Sequence, residues 1–230
     1  MDLTRWVVFS TLGALTGILG FLATRALGQA GLGRRMSALP WGAGLVLATG
    51  AMGIESTVYL GATSQVLLQI YVALSAWLVG ALSLGVLHLL RSRIWKAAYL
   101  AWVLGASGAL GVACATTPMD PARMVTAGVI SGAPPLDLLL LSTLITGPAT
   151  VLLLTASALS LRRRPNPAAL LIIAGSLVLG AGGTLYLASF PVMLYYSEFF
   201  GILMLFVGLL RLPHAHGSAT TAPRSAPAAP

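Results

Sequence analysis

Two carboxylic acids interrupt hydrophobic runs in this chain. Glu55 follows LPWGAGLVLATGAMGI, and Glu198 lies inside PVMLYYSEFFGILMLFVGLL, which runs from Pro191 to Leu210. A carboxyl group in such surroundings can hold a proton, bind a cation or receive the charged head of an amphiphile. Phenolic hydroxyls accompany both acids. Tyr59 comes four residues after Glu55 and Tyr195 three before Glu198, so on helices each shares a face with its acid. Tyr71 begins the third run, Tyr186 ends the sixth, and Tyr196 adjoins Tyr195. The candidate ligand- or proton-binding set is therefore Glu55 and Glu198, with Tyr59 and Tyr195 as supporting hydrogen-bonders and Tyr71 and Tyr186 around them. The competing reading is an aromatic belt with two neutral carboxyls bonded to neighbours for packing.

The elements that must position these groups are hydrophobic helices. Of the 230 residues, 57% are hydrophobic and 8% charged, and the mean hydropathy is +0.92. Soluble domains carry about a quarter charged residues, which excludes that class. Seven apolar runs, near 6–24, 39–61, 66–90, 97–116, 136–161, 168–189 and 191–210, are each long enough to cross a hydrocarbon core of roughly 30 Å. The first is a membrane helix rather than a signal peptide, because Arg25, Arg34 and Arg35 follow it instead of preceding it. Glycine series in the first, second, fourth and sixth runs predict small-residue seams for close helix packing. Asp120-Pro121 reads as an N-cap and first helical position, opening a short helix from Pro121 to Val129 in the longest connection. Pro148 predicts a kink in the fifth run. The Pro-, Ala-, Ser- and Thr-rich segment 212–230 reads as a disordered tail.

The formal net charge of +8 has a topological meaning. Arg25, Arg34, Arg35, Arg91, Arg93, Lys96, Arg162, Arg163, Arg164, Arg211 and Arg224 follow odd-numbered runs or lie in the tail. Only Arg5 and Arg123 fall on the other side. The positive-inside rule then gives an external N-terminus and a cytoplasmic C-terminus. In that orientation Glu55 and Glu198 lie at similar depth, on the order of 10 Å below the outer interface from helix rise. No basic helix with interleaved aromatics supports nucleic-acid binding.

Other chemistries lack their residues. Cys114 is the only cysteine, so no disulfide or thiolate cluster arises. Lys96, at a run end, is the only lysine, which removes a Schiff base in the last helix. His88 lies at a run end and His214 and His216 in the tail, so no paired haem ligands occur within the spans. No nucleophile–base pair or metal set is visible, and no HExxH or GxSxG motif occurs. The expectation is a non-enzyme without metal or cofactor.

The stretch IYVALSAWLVGALSLGVLHLL, with Glu55 ahead of it, resembles a group of uncharacterised bacterial seven-helix inner-membrane proteins. GGTLYL and SEFFGILMLFVGLL are similar to the same group. The resemblance implies fold and location, and no activity. The sequence thus predicts an all-α polytopic membrane protein, a seven-helix bundle, N-out and C-in, multi-pass in the cell (inner) membrane. Its partners are the lipid bilayer and a membrane or cytoplasmic protein. It would bind or translocate a small ligand, cation or proton through an outward-facing pocket. The alternative is a structural or sensory subunit of a larger complex.

Overall fold

The computed structural model describes residues 3–31, 38–87, 92–126, 129–130, 132–163, 167–187 and 191–211. Among them are eight helices: α1 (Leu3–Gly31), α2 (Ala38–Tyr59), α3 (Gln65–Leu84), α4 (Arg93–Thr116), the short α5 (Pro121–Met124), α6 (Leu136–Arg163), α7 (Pro167–Leu187) and α8 (Pro191–Leu210). The only strands among these residues are β1 (Val125–Thr126) and β2 (Val129–Ile130), an antiparallel pair in which Val125 opposes Ile130. The expected tail and His88 lie outside the described residues.

Four stretches are long and apolar enough to cross a bilayer: Phe9–Gly28, Gln65–Leu84, Arg93–Thr116 and Leu136–Leu159. Their outward faces are apolar as well. Ile94, Leu104 and Val112 on α4, and Leu140 and Val151 on α6, are all well exposed. A helix without a polar face is either buried in protein or set in lipid, and these are not buried. The described chain is that of a helical integral membrane protein, with one short hairpin.

Packing of neighbouring helices orders them into a ring. α1 packs on α2, α2 on α3, α3 on α6, α6 on α7 and α7 on α8, while α8 touches α1 and closes the circuit. α4 lies outside the ring against α3 and α6. Each ring helix sends at least one buried residue to a common core: Leu19, Leu45, Leu82, Leu153, Ile172 and Leu205. A second core, with Val58, Leu68, Leu110, Leu138 and Ile145, fills the space between α2, α3, α4 and α6.

The closest helix approach is between α7 and α8. A Cβ on Gly175 would lie 2.7 Å from the Gly201 carbonyl oxygen, and one on Gly208 would lie 2.8 Å from that of Ala168. On α2, Gly44 and Gly50 admit Leu82 and Leu74 of α3. The seams expected on the first and fourth runs differ. Gly13, Gly17, Gly105 and Gly108 have open space beside them, and only Gly20 and Gly111 meet a neighbour, Thr49 and Trp77. In lipid an apolar helix has no polar side to mark which way its glycines turn, so periodicity alone does not orient them.

Pro148 sits inside α6, which continues through it. Proline has no N–H, so the carbonyl four residues earlier, Leu144, loses its helical partner. The indole Nε1 of Trp102 on α4 donates to that oxygen at 3.1 Å. The proline thus frees an acceptor that α4 uses to dock. Trp102→Phe keeps an aromatic side chain, smaller than the indole, and removes the donor. It should cost about 1–3 kcal/mol, the usual cost of an orphaned polar group. Thermal unfolding in detergent checks this. Equal midpoints for wild type and variant would show that the bond contributes nothing.

The connection between α4 and α6 departs from the expected helix. Asp120 caps α5 through Ala122 N–H at 2.9 Å, with Pro121 at the first helical position. The helix ends at Met124, however, and the chain turns into the β1–β2 hairpin. The short apolar run Val-Thr-Ala-Gly-Val-Ile favours strand pairing through its β-branched residues. Adjacent residues of a strand point to opposite faces. Accordingly Val129 enters the ring core and Ile130 the second core.

Candidate functional site

Glu55 projects from the last third of α2 and is fully buried, with 0% of its surface exposed. Its Oε1 accepts a 2.8 Å hydrogen bond from the hydroxyl of Tyr71 in the second turn of α3. The link from α2 to α3 brings them together. Gly61 adopts a positive φ of 98° there, and the Ser64 side chain caps α3 by accepting from Leu67 N–H. The chain therefore reverses within a few residues, and the end of one helix lies beside the start of the next.

The second oxygen of Glu55, Oε2, is buried and has no hydrogen-bond partner among the described residues. Beside Glu55 stands the carboxyl of Glu198 on α8, close enough for electrostatic coupling and for a hydrogen bond once one acid carries a proton. Glu198 is placed by the α7–α8 seam, one helical turn before Gly201. Around the pair, Ser56 and Thr57 turn back to their own helix, donating to the Met52 and Gly53 carbonyls at 2.8 Å each. Neither acid has an ion-pair partner: the one salt bridge among the described residues joins Arg123 to Asp120.

The structure brings together three of the six sequence-predicted residues: Glu55, Glu198 and Tyr71. Tyr59 follows one turn after Glu55 and packs on the ring core, without a hydrogen bond to either acid among the described residues. Tyr195 and Tyr186 belong to α8 and α7, and their side chains lie outside the described residues. The hairpin is the component that sequence spacing did not reveal. β2 packs on α2, and Ile130 shares a cluster with Ile54, Val58 and Tyr71. It covers the helices that carry Glu55 and its phenol. The adjacent β-branched pairs Val125-Thr126 and Val129-Ile130 were the available signal. Connections on both sides hold it in place: Gln69 Nε2 donates to the Thr117 carbonyl at 2.9 Å, and the Thr117 hydroxyl donates to Asp137 at 3.0 Å.

The chemistry available is that of two carboxyls and a phenol in an apolar interior. Among the described residues no group of three His, Cys, Asp or Glu side chains could hold a metal ion. Cys114 is a free, buried thiol in the second core. The class defined by fold and site is a helical membrane protein with an interior acid pair. No family model, curated protein or solved structure matches the chain.

Proposed function

We propose that the chain binds or translocates a small cationic ligand or a proton at Glu55, Tyr71 and Glu198, without enzymatic chemistry. The observation that carries this reading is the buried, unpartnered Oε2 of Glu55 facing a second carboxyl. A charged group at mid-span costs roughly 2.5–3.5 kcal/mol on insertion scales, and such residues ordinarily mark ligand or ion pathways. A pair arranged for packing alone would satisfy its oxygens with donors, as Oε1 is satisfied by Tyr71.

The membrane setting extends the same reading. With α2, α7 and α8 at 22, 21 and 20 residues, each long enough to span, seven long helices cross the bilayer. The arginine distribution then directs the N-terminus outward and the C-terminus into the cytoplasm of a bacterial inner membrane. The acid pair falls in the outer half, the half covered by the hairpin.

Calorimetric titration of the purified chain with sodium, potassium, calcium and tetramethylammonium, and proton-release measurements, test the reading. Glu55→Gln should weaken binding at least about tenfold, the loss of roughly 1.4 kcal/mol. Flux in proteoliposomes separates translocation from binding. If wild type takes up nothing, or Glu55→Gln behaves like wild type, the reading is wrong.

The open glycines of α1 and α4 favour a second reading, a structural or sensory subunit. Gly13 and Gly17, and Gly105 and Gly108, leave smooth strips where a partner's helix can approach. Native purification from membranes would then return a complex with a second membrane protein.

A further inference from the structure

The oxygens around Glu55 decide which charge the site accepts, an inference that rests on the reading just given. Oε1 is engaged by Tyr71, leaving Oε2 and the Glu198 carboxyl as the unspent acceptors between α2 and α8. The groups acting on Glu55 are Glu198 and Tyr71, and the group acting on Glu198 is Glu55. Tyr59 on α2 and Tyr196 on α8 lie within a turn of them. No described Lys, Arg or His from α1, α3, α6, α7 or the hairpin acts on either acid.

This set is too small for a metal ion. Calcium takes six to eight oxygens, and magnesium completes its octahedron with waters, to which the fully buried Glu55 has no access. The hydroxyls of Ser56 and Thr57 are already turned onto helix carbonyls. Transition ions favour imidazole or thiolate, and the described residues offer no such cluster. An alkali ion also surrounds itself with several oxygens, which this pair lacks, whereas a proton needs two. A proton bridging two carboxyl oxygens relieves the repulsion of two like charges in a medium of low dielectric constant.

We propose that the Glu55–Glu198 pair shares one proton, held between Oε2 of Glu55 and the Glu198 carboxyl, and takes no metal ion there.

Infrared difference spectroscopy of the full chain in nanodiscs tests this. Wild type is taken from alkaline to acidic buffer without sodium, then titrated at alkaline pH with sodium chloride and, separately, with calcium chloride. The expected result is a carboxylic-acid carbonyl band on acidification that is lost in both Glu55→Gln and Glu198→Gln, while the bands of the three aspartates remain. A silent sodium arm with the acid band present supports the shared proton. Sodium that shifts the carboxylate bands in wild type and not in the variants, or calcium bound one per chain and lost in Glu55→Gln, overturns the proton assignment while leaving the binding site standing. Carboxyl bands that answer to none of the three overturn both. The wild-type spectra decide by themselves if a variant fails to fold.

Discussion

Replacing Gly175 with valine should unseat α8 from α7 and take Glu198 away from Glu55. A Cβ at this position would lie 2.7 Å from the Gly201 carbonyl oxygen and 2.9 Å from the Leu205 nitrogen. Both are backbone atoms, so no side-chain rotation relieves the overlap. One helix must move as a body. Gly201→Val meets the same obstacle from the other side, through the Gly175 carbonyl at 3.0 Å and Leu179 Cγ at 2.6 Å. Alanine at Gly175 should cost about 1–3 kcal/mol by overpacking, and valine more, through its two further methyl groups. Gly17→Ala is the control. It has nothing within 4 Å, and alanine is the better helix former by about 1 kcal/mol, so it should be neutral or mildly stabilising. Thermal unfolding in detergent ranks the three. The seam also carries function, because Glu198 stands one turn from Gly201. Gly175→Val protein that is still folded should therefore lose ligand binding along with stability. Equal stabilities for the Gly175 and Gly17 variants would mean that the two helices do not approach through glycine.

The acid pair shows which kinds of information the sequence carried. Helix rise and run boundaries put Glu55 and Glu198 at similar depth, and the two side chains do interact. The phenol that bonds Glu55 was harder to select. Spacing within a helix favoured Tyr59, yet the donor is Tyr71, sixteen residues away. That choice depends on the tight reversal at Gly61 and Ser64, and a helical pattern says nothing about rotation across a turn. The same blindness affected the glycines. Gly175 and Gly13 sit in equally apolar sequence, but one meets a backbone and the other open space. Water normally marks the outer face of a helix by its polar residues, and lipid erases that mark. Pro148 was legible as a break in hydrogen bonding, whereas its partner Trp102 belongs to another helix and became evident only from packing.

The hairpin was the least legible element, and Gly132→Val should show what it does. Gly132 donates its N–H to the Met124 carbonyl at 3.0 Å. A Cβ there would overlap the Arg123 carbonyl oxygen and press on the Met124 Cα at 2.8 Å. Valine must therefore part the end of the hairpin from α5. Val129, now only 2% exposed, and Ile130, 6% exposed, would leave the two cores they close. Fully burying residues of this size contributes about 1.5–3 kcal/mol each at a surface that faces water. Loss of even part of that favours local opening by roughly 1.4 kcal/mol, which is about tenfold in the open population. Glu55 lies beneath, between Ile54 and Val58 of the same helix. Its modification by a water-soluble carbodiimide and an amine, read by mass spectrometry of the cleaved peptide, should accelerate by that factor in Gly132→Val. Val129→Ala should give a smaller increase, because it trims the contact without moving the backbone. A membrane-permeant carbodiimide reaches the acid through lipid and should show no difference among the three proteins. If the soluble reagent also fails to distinguish them, the helices alone seal the carboxyl pair. If both reagents accelerate equally, the variant has loosened the bundle and the hairpin has no special place over the site.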